Sequence, residues 1–177
     1  MTARTDALKH LLQLPSIQEA HRELVAHNGG NLRYETGGGG REVALDAARI
    51  ITAKRGVDLI VVTPKISHSI TDEILGPECM TRTHLLSPQR VARIHPSDAR
   101  PTEYLLLITD TAIPKNERTH THVGLKHLYA KARYTITTYH WYSLARLPTM
   151  PNFLWQHSGP IIMGRDEITS QFTNLLR

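Results

Sequence analysis

The sequence predicts an α/β fold with a mostly parallel sheet and flanking helices, and three stretches carry that prediction. Arg133 to Leu147, RYTITTYHWYSLARL, is up to its last residues a run of Thr, Tyr, Ile and Trp without Gly or Pro, which suits a strand packed on both sides. Tyr104–Thr109, YLLLIT, is a second apolar strand. Between them Thr119–Ala132, THTHVGLKHLYAKA, is long enough for a crossover helix, so strand, helix and strand follow in the order of a parallel βαβ unit.

The elements follow in chain order. Leu8, Leu11 and Leu12 stand at helical spacing and Pro15 ends that first short helix. Ser16 and Glu19 form a capping box opening a second, which carries Ile17, Ala20, Leu24 and Val25 on one side and stops at Asn28-Gly29-Gly30. Asn31–Thr36 alternates with Leu32 and Tyr34 on one face and reads as a short strand. Gly37–Gly40 reads as a flexible link. Residues 41–55 resume helical spacing through Ala44, Ala47, Ala48 and Ile51, closed by Gly56. Val57–Thr63 is a continuous apolar strand ended by Pro64, which makes a second βαβ candidate.

Ile66, Ile70, Ile74 and Leu75 are expected to line one or two helical turns before Gly76-Pro77. His84-Leu85-Leu86 is too short to assign by itself. Ser87-Pro88 has the form of a helix cap with proline at the first helical position, opening residues 89–94. His95–Pro101 is a surface loop. After Leu147, Pro148, Pro151 and Pro160 mark an extended segment, and Asp166-Glu167 begins a terminal helix bearing Ile168, Phe172 and Leu175. Residues 1–177 read as a single α/β domain with a helical portion over 1–30 and the Pro-rich segment and terminal helix over 148–177.

The 177 residues suffice for one domain of ordinary size with a sizeable core. A hydrophobic share of 40% with 21% charged is that of a globular chain and not of a disordered one. A net charge of +5 and an isoelectric point near 9.6 favour contact with something acidic, nucleic acid foremost, although the basic residues are scattered with only Lys54 and Arg55 adjacent. One cysteine, Cys79, excludes an internal disulfide framework and a CxxC metal knuckle, and suits a reducing compartment. Asp6, Lys9, His10 and Gln13 interrupt any signal-peptide core, and no apolar stretch is long enough to span a bilayer. The expectation is a soluble intracellular protein of cytoplasm or nucleus, without membrane contact.

No complete catalytic motif is present. The glycine run after a strand and before a helix invites a phosphate-loop reading, because backbone N–H groups there would point at an anion. Yet Gly37-Gly38-Gly39-Gly40-Arg41-Glu42 lacks the third glycine of the dinucleotide fingerprint and the Lys-Ser/Thr of a Walker loop. Among 11 histidines only His120, His122 and His127 cluster, and on a helix only His120 and His127 share a face, so solvent-facing histidines are expected and no metal site. Asp58 and Lys65 flank an apolar strand as in metal-dependent nucleases, but Thr63 stands where such a site needs an acid. Asp110 would lie at the C-terminal edge of the sheet, as a site carboxylate or as a turn cap. Cys79 lies in a Gly-Pro loop with no base beyond His84. No cofactor is implied. Late aromatics, Tyr134, Tyr139, Trp141, Tyr142, Phe153 and Trp155, suit a core or a protein interface, or base stacking beside Arg133 and Arg146.

The order EYLLLITDTAI, helix, YTITTYHWYSLARLP, then QHSGPIIMGRDEI resembles the N-terminal jaw domain of RNA polymerase subunit 5, most of all the divergent versions of large cytoplasmic DNA viruses, over about residues 103–172. The resemblance implies a non-catalytic binding subunit of a transcription or other nucleoprotein assembly. Its partners would be large polymerase subunits and, through phosphate contacts that position without reading sequence, duplex DNA or RNA. Arg118, Lys126, Lys131 and Arg133, in or beside the crossover helix, are the nucleic-acid candidates. Tyr139, Trp141, Trp155, His157 and Pro160 are the interface candidates. Two other readings stay open. One is a structural component of a viral particle or organellar ribosome. The other is a divergent nuclease or nucleotide-binding enzyme centred on Asp58, Lys65 and the glycine run.

Overall fold

The computed structural model describes residues 6, 8–10, 12, 13, 15–34, 39–98, 100–109, 112, 118–140 and 160–162. After a helical turn at residues 8–10 come α1 (Pro15–Ala26), β1 (Gly30–Tyr34), α2 (Gly40–Arg55), β2 (Asp58–Val62) and a 3₁₀ turn (Lys65–Ser67). Then follow α3 (His68–Met80), β3 (Thr83–Leu86), α4 (Pro88–Val91), β4 (Tyr104–Ile108), α5 (His120–Lys131), β5 (Tyr134–His140) and β6 (Pro160–Ile162). The strands form one sheet in the order β3-β2-β4-β5-β1-β6, and every pairing is parallel.

Parallel strands demand crossovers, and right-handed crossovers send connections running in opposite directions to opposite faces. The core shows this division. Connections running from β1 to β2 and from β2 to β3 travel one way across the sheet, and α2 and α3 lie on one face with α1. There Leu24, Leu32, Val43, Leu45, Ile51, Leu59, Leu75, Leu105 and Leu107 form one cluster. Connections from β3 to β4 and from β4 to β5 travel back, and α4 and α5 cover the other face through Val91, Leu125 and Leu128 over Ile60, Val62, Tyr104, Leu106 and Ile108. All five residues of β4 are buried, as are the last four of β2, because side chains from both faces are covered. The burial of each such Leu or Ile stabilises the fold by about 1.5–3 kcal/mol.

Several expectations are corrected. Pro15 is the first residue of α1, so Ser16 stands inside the helix and not before it. The last two glycines of the run, read as a flexible link, have fixed places, while Gly37 and Gly38 lie outside the described residues. Gly39 is the N-cap of α2 at φ 75°, and Gly40, its first residue, lies so close to Tyr34 that a Cβ there would be 2.1 Å from the ring's Cγ. Ile66 is 87% exposed, because a 3₁₀ turn and not an α-helix carries it and the spacing of four loses its meaning. The expected turns before Gly76-Pro77 are there, and α3 is two helical pieces meeting at Gly76 (φ 77°, ψ 166°), so Cys79 lies in the short second piece and not in a loop. The segment too short to assign is β3, an edge strand paired with β2 alone. The expected cap holds: Ser87 Oγ accepts the Arg90 amide at 3.2 Å with Pro88 in the first turn. The terminal helix and most of the Pro-rich segment lie outside the described residues.

Candidate nucleotide-binding crevice

In a parallel sheet the C-terminal ends of the strands form an edge where ligands gather. They do so where neighbouring strands send their connections to opposite faces. Among the described residues β2 and β4 do this, β2 leading into α3 and β4 towards α5; a second place to consider at the same edge is the end of β1, which leads into α2. At the first, Thr109 Oγ1 donates to Thr63 Oγ1 at 3.1 Å and lies 3.3 Å from the Val62 carbonyl, with both threonines buried. His68 Nε2 is 3.1 Å from the Thr63 carbonyl, fixing the start of α3 against the end of β2.

At the second, β1 ends at Tyr34 and α2 starts at Gly40, with Gly39 in the left-handed region and, among the described residues, no side chain capping the helix. The first amides of a 16-residue helix therefore have no side-chain acceptor at their cap, and the helix dipole adds partial positive charge there. The two places are joined by Arg41. Its Nη1 donates to Ser67 Oγ at 2.6 Å, from the first turn of α2 to the 3₁₀ turn after β2, and its Nε is buried with no hydrogen-bond partner among the described residues. Uncapped amides, a guanidinium and hydroxyls at one edge make a setting for an anionic group. Residues 35–38 and Asp110 lie outside the described residues.

The candidates drawn from sequence are spread more widely. Arg118 precedes the Thr119 cap of α5, whose hydroxyl accepts the His122 amide at 3.2 Å. Lys131 ends α5, and Arg133 follows and is ion-paired with Glu103, its ring neighbour Tyr134 lying 5.6 Å below the guanidinium. A helix of 12 residues, about 18 Å long, thus separates Arg118 from Lys131 and Arg133. Lys126 is exposed and, five positions before Lys131, faces a different side of the helix. In backbone register Tyr139 pairs with Arg33 and Pro160 with Asn31, so both flank β1. Trp141, Trp155 and His157 lie outside the described residues. His120 is exposed and His122 and His127 are half-buried, and among the described residues no group of three His, Cys, Asp or Glu is placed to hold a metal ion. Asp58 is ion-paired with Arg82 at 3.0 Å. Sequence reasoning missed Arg41 and Ser67. The signal for Arg41 was its place directly after the glycine run, at the start of a helix; Ser67 had none.

No helix of the described residues is long and apolar enough to cross a membrane. The chain matches no family model, no curated protein and no solved structure, so the resemblance to the polymerase jaw domain rests on the residues quoted for it.

Proposed function

We propose that the chain is a nucleotide-binding module laid out like the core of a P-loop NTPase and working within a nucleic-acid or transcription assembly. The observation that carries the reading is the junction of β1 and α2: strand, glycine run and uncapped helix N-terminus at the C-terminal edge of an all-parallel sheet. In the pattern G-x-x-x-x-G-K-[S/T], Gly40, Arg41 and Glu42 occupy the last three places, and Glu35 the first. Arg41 supplies the cation that the lysine would, with a planar fork suited to phosphate oxygens. Strand β4, one strand away from β1 across β5, ends at Ile108, and Thr109 and Asp110 follow in sequence, Asp110 near where a P-loop NTPase carries its metal-binding aspartate.

Glu42 stands where such sites place the hydroxyl that holds Mg²⁺, so the residues present do not fit a metal bound in that way. No hydrolytic step is derived, and the reading is binding rather than turnover. The chain's net charge of +5 supports the nucleic-acid setting, as does the resemblance to a polymerase subunit.

The test is displacement of a fluorescent ADP analogue, read with and without Mg²⁺, together with thermal denaturation. ADP should raise the melting temperature, and Arg41→Ala should weaken binding by about 10- to 100-fold, the worth of a charge-assisted hydrogen bond. A parent protein that binds neither ADP nor ATP at millimolar concentration would overturn the reading, as would Arg41→Ala binding like the parent. Affinity purification at high salt tests the assembly: retained polymerase subunits support transcription, and coat or ribosomal proteins support a particle.

A further inference from the structure

On the face covered by α4 and α5, away from the α2 N-terminus, a groove of about 750 Å³ opens beside the edge strand β3. Its floor is apolar, with Ile60 of β2 and Leu128 of α5. Its rim carries three guanidiniums and an imidazole: Arg90 in α4, Arg93 just after it, Arg100 in the loop before β4, and His84 in β3. Two carboxylates also line it, and both are engaged. Asp58 holds Arg82 at 3.0 Å and lies 3.9 Å from Nε2 of His84, and Asp98 accepts the His95 amide at 2.8 Å. The arginines are not matched in this way. Arg90 and Arg93 are exposed and form no ion pair among the described residues. Arg100 donates through Nη2 to the Pro96 carbonyl at 3.0 Å, while its Nη1 is buried with no hydrogen-bond partner among the described residues.

A guanidinium at the rim that meets no carboxylate can make charge-assisted hydrogen bonds to an oxyanion arriving in the groove. No Phe, Tyr or Trp lines the groove, and His84 is its one aromatic ring, so phosphate contact and not base stacking is what the groove offers most of. We infer that this groove is a nucleic-acid contact that holds the phosphodiester backbone of a strand along the β3 edge, through Arg90, Arg93 and Arg100, without reading sequence. The inference does not depend on nucleotide binding at the α2 N-terminus.

The test uses the full chain without nucleotide and follows anisotropy of a fluorescein-labelled oligothymidylate of about a dozen nucleotides across a salt series. Arg90→Gln with Arg93→Gln should weaken binding at least tenfold. It should also reduce the slope of log K against log salt by about 1.4, or about 0.7 for each lost single-strand phosphate contact. A charge-matched control, Arg22→Gln with Lys54→Gln on α1 and α2, should leave the slope near that of the parent. Three results would overturn the inference. These are a parent chain that does not bind the oligonucleotide, a groove variant that behaves like the control, and competition by AMP or polyglutamate as effective as by unlabelled oligothymidylate. The first two exclude the contact, and the third assigns the groove to a mononucleotide or an acidic protein.

Discussion

Replacing Gly40 by alanine tests the geometry that presents the start of α2. The new Cβ would lie 2.1, 2.3 and 2.6 Å from Cγ, Cδ1 and Cδ2 of Tyr34. Carbon atoms rest at about 3.5–4.0 Å, so the ring or the helix must withdraw by about 1.5 Å. Tyr34 is only 6% exposed and belongs to the α1–α2–α3 side of the core, which leaves the ring little room to turn. Overpacking of this kind costs about 1–3 kcal/mol, and the helix preference for Ala over Gly returns at most about 1 kcal/mol. The expected loss is about 2 kcal/mol, which for a chain of this size lowers the melting temperature by about 4–8 °C. Urea denaturation with calorimetry measures both. Tyr34→Ala alone should cost about 3–5 kcal/mol, but in that background Gly40→Ala should be neutral or stabilising, a coupling of about 2 kcal/mol. Equal stability of Gly40→Ala and the parent, within about 0.5 kcal/mol, would show that the Tyr34 ring does not abut the helix and that the junction is wrongly placed.

Asp46 of α2 accepts hydrogen bonds from His21 and Arg49, each at 2.8 Å. Burial pushes its pKa up, but those two partners outweigh burial and hold the carboxyl below its ordinary value of 3.8. A depressed folded pKa contributes stability that is complete above the unfolded value and is lost as pH falls through the folded one. The urea midpoint should therefore fall below about pH 4, and Asp46→Asn should flatten that part of the profile and lower stability at pH 7; superimposable profiles would refute the pairing. Leu107→Ala, at a fully buried β4 position, should cost about 2–5 kcal/mol, whereas Ile66→Ala at 87% exposure should change stability by less than about 0.5 kcal/mol; equal effects would contradict the burial of one or the exposure of the other. Gly124→Ala would put a Cβ 2.0 Å from the Val91 carbonyl oxygen. That atom is backbone and cannot swing aside, so α4 and α5 should part and the melting temperature fall by several degrees; an unchanged melting curve would mean that the two helices do not meet there.

The strands on which the sheet is built were legible because β2 and β4 are covered on both faces and therefore read as unbroken apolar runs. Helix α2 was legible from spacing and from Gly56 at its end, and α5 from the length of chain between two strands. What escaped depends on partners distant in the chain. Strand β3 is four residues at an edge, half-exposed, and is a strand only because β2 lies beside it. Gly40 resembles a linker residue until the Tyr34 ring is placed against it, and that contact comes from how α2 packs against the end of β1, not from composition. Ile66 sits at helical spacing, yet its turn is 3₁₀. Arg90 and Arg93 are close in sequence, but only the neighbouring of β2 and β3 brings His84 and Arg100 to the same groove. Likewise Arg41 and Ser67 meet because α2 spans the sheet from β1 to β2.

The position of β1 bears on how the chain reaches this state. Its first residue, Gly30, pairs with Ile136, and its other side meets Pro160 through Asn31, so both neighbours are supplied roughly a hundred residues or more downstream. The strand that leads into the glycine turn cannot be enclosed while the ribosome is still making the middle of the protein, whereas β2, β3 and β4 find one another sooner. Closing so long a loop is entropically costly and slow, and the waiting strand exposes two unpaired edges meanwhile. The turn proposed to hold phosphate is thus among the last parts to be organised during synthesis, and a ligand that grips it would act on the final step of folding as well as on the finished protein.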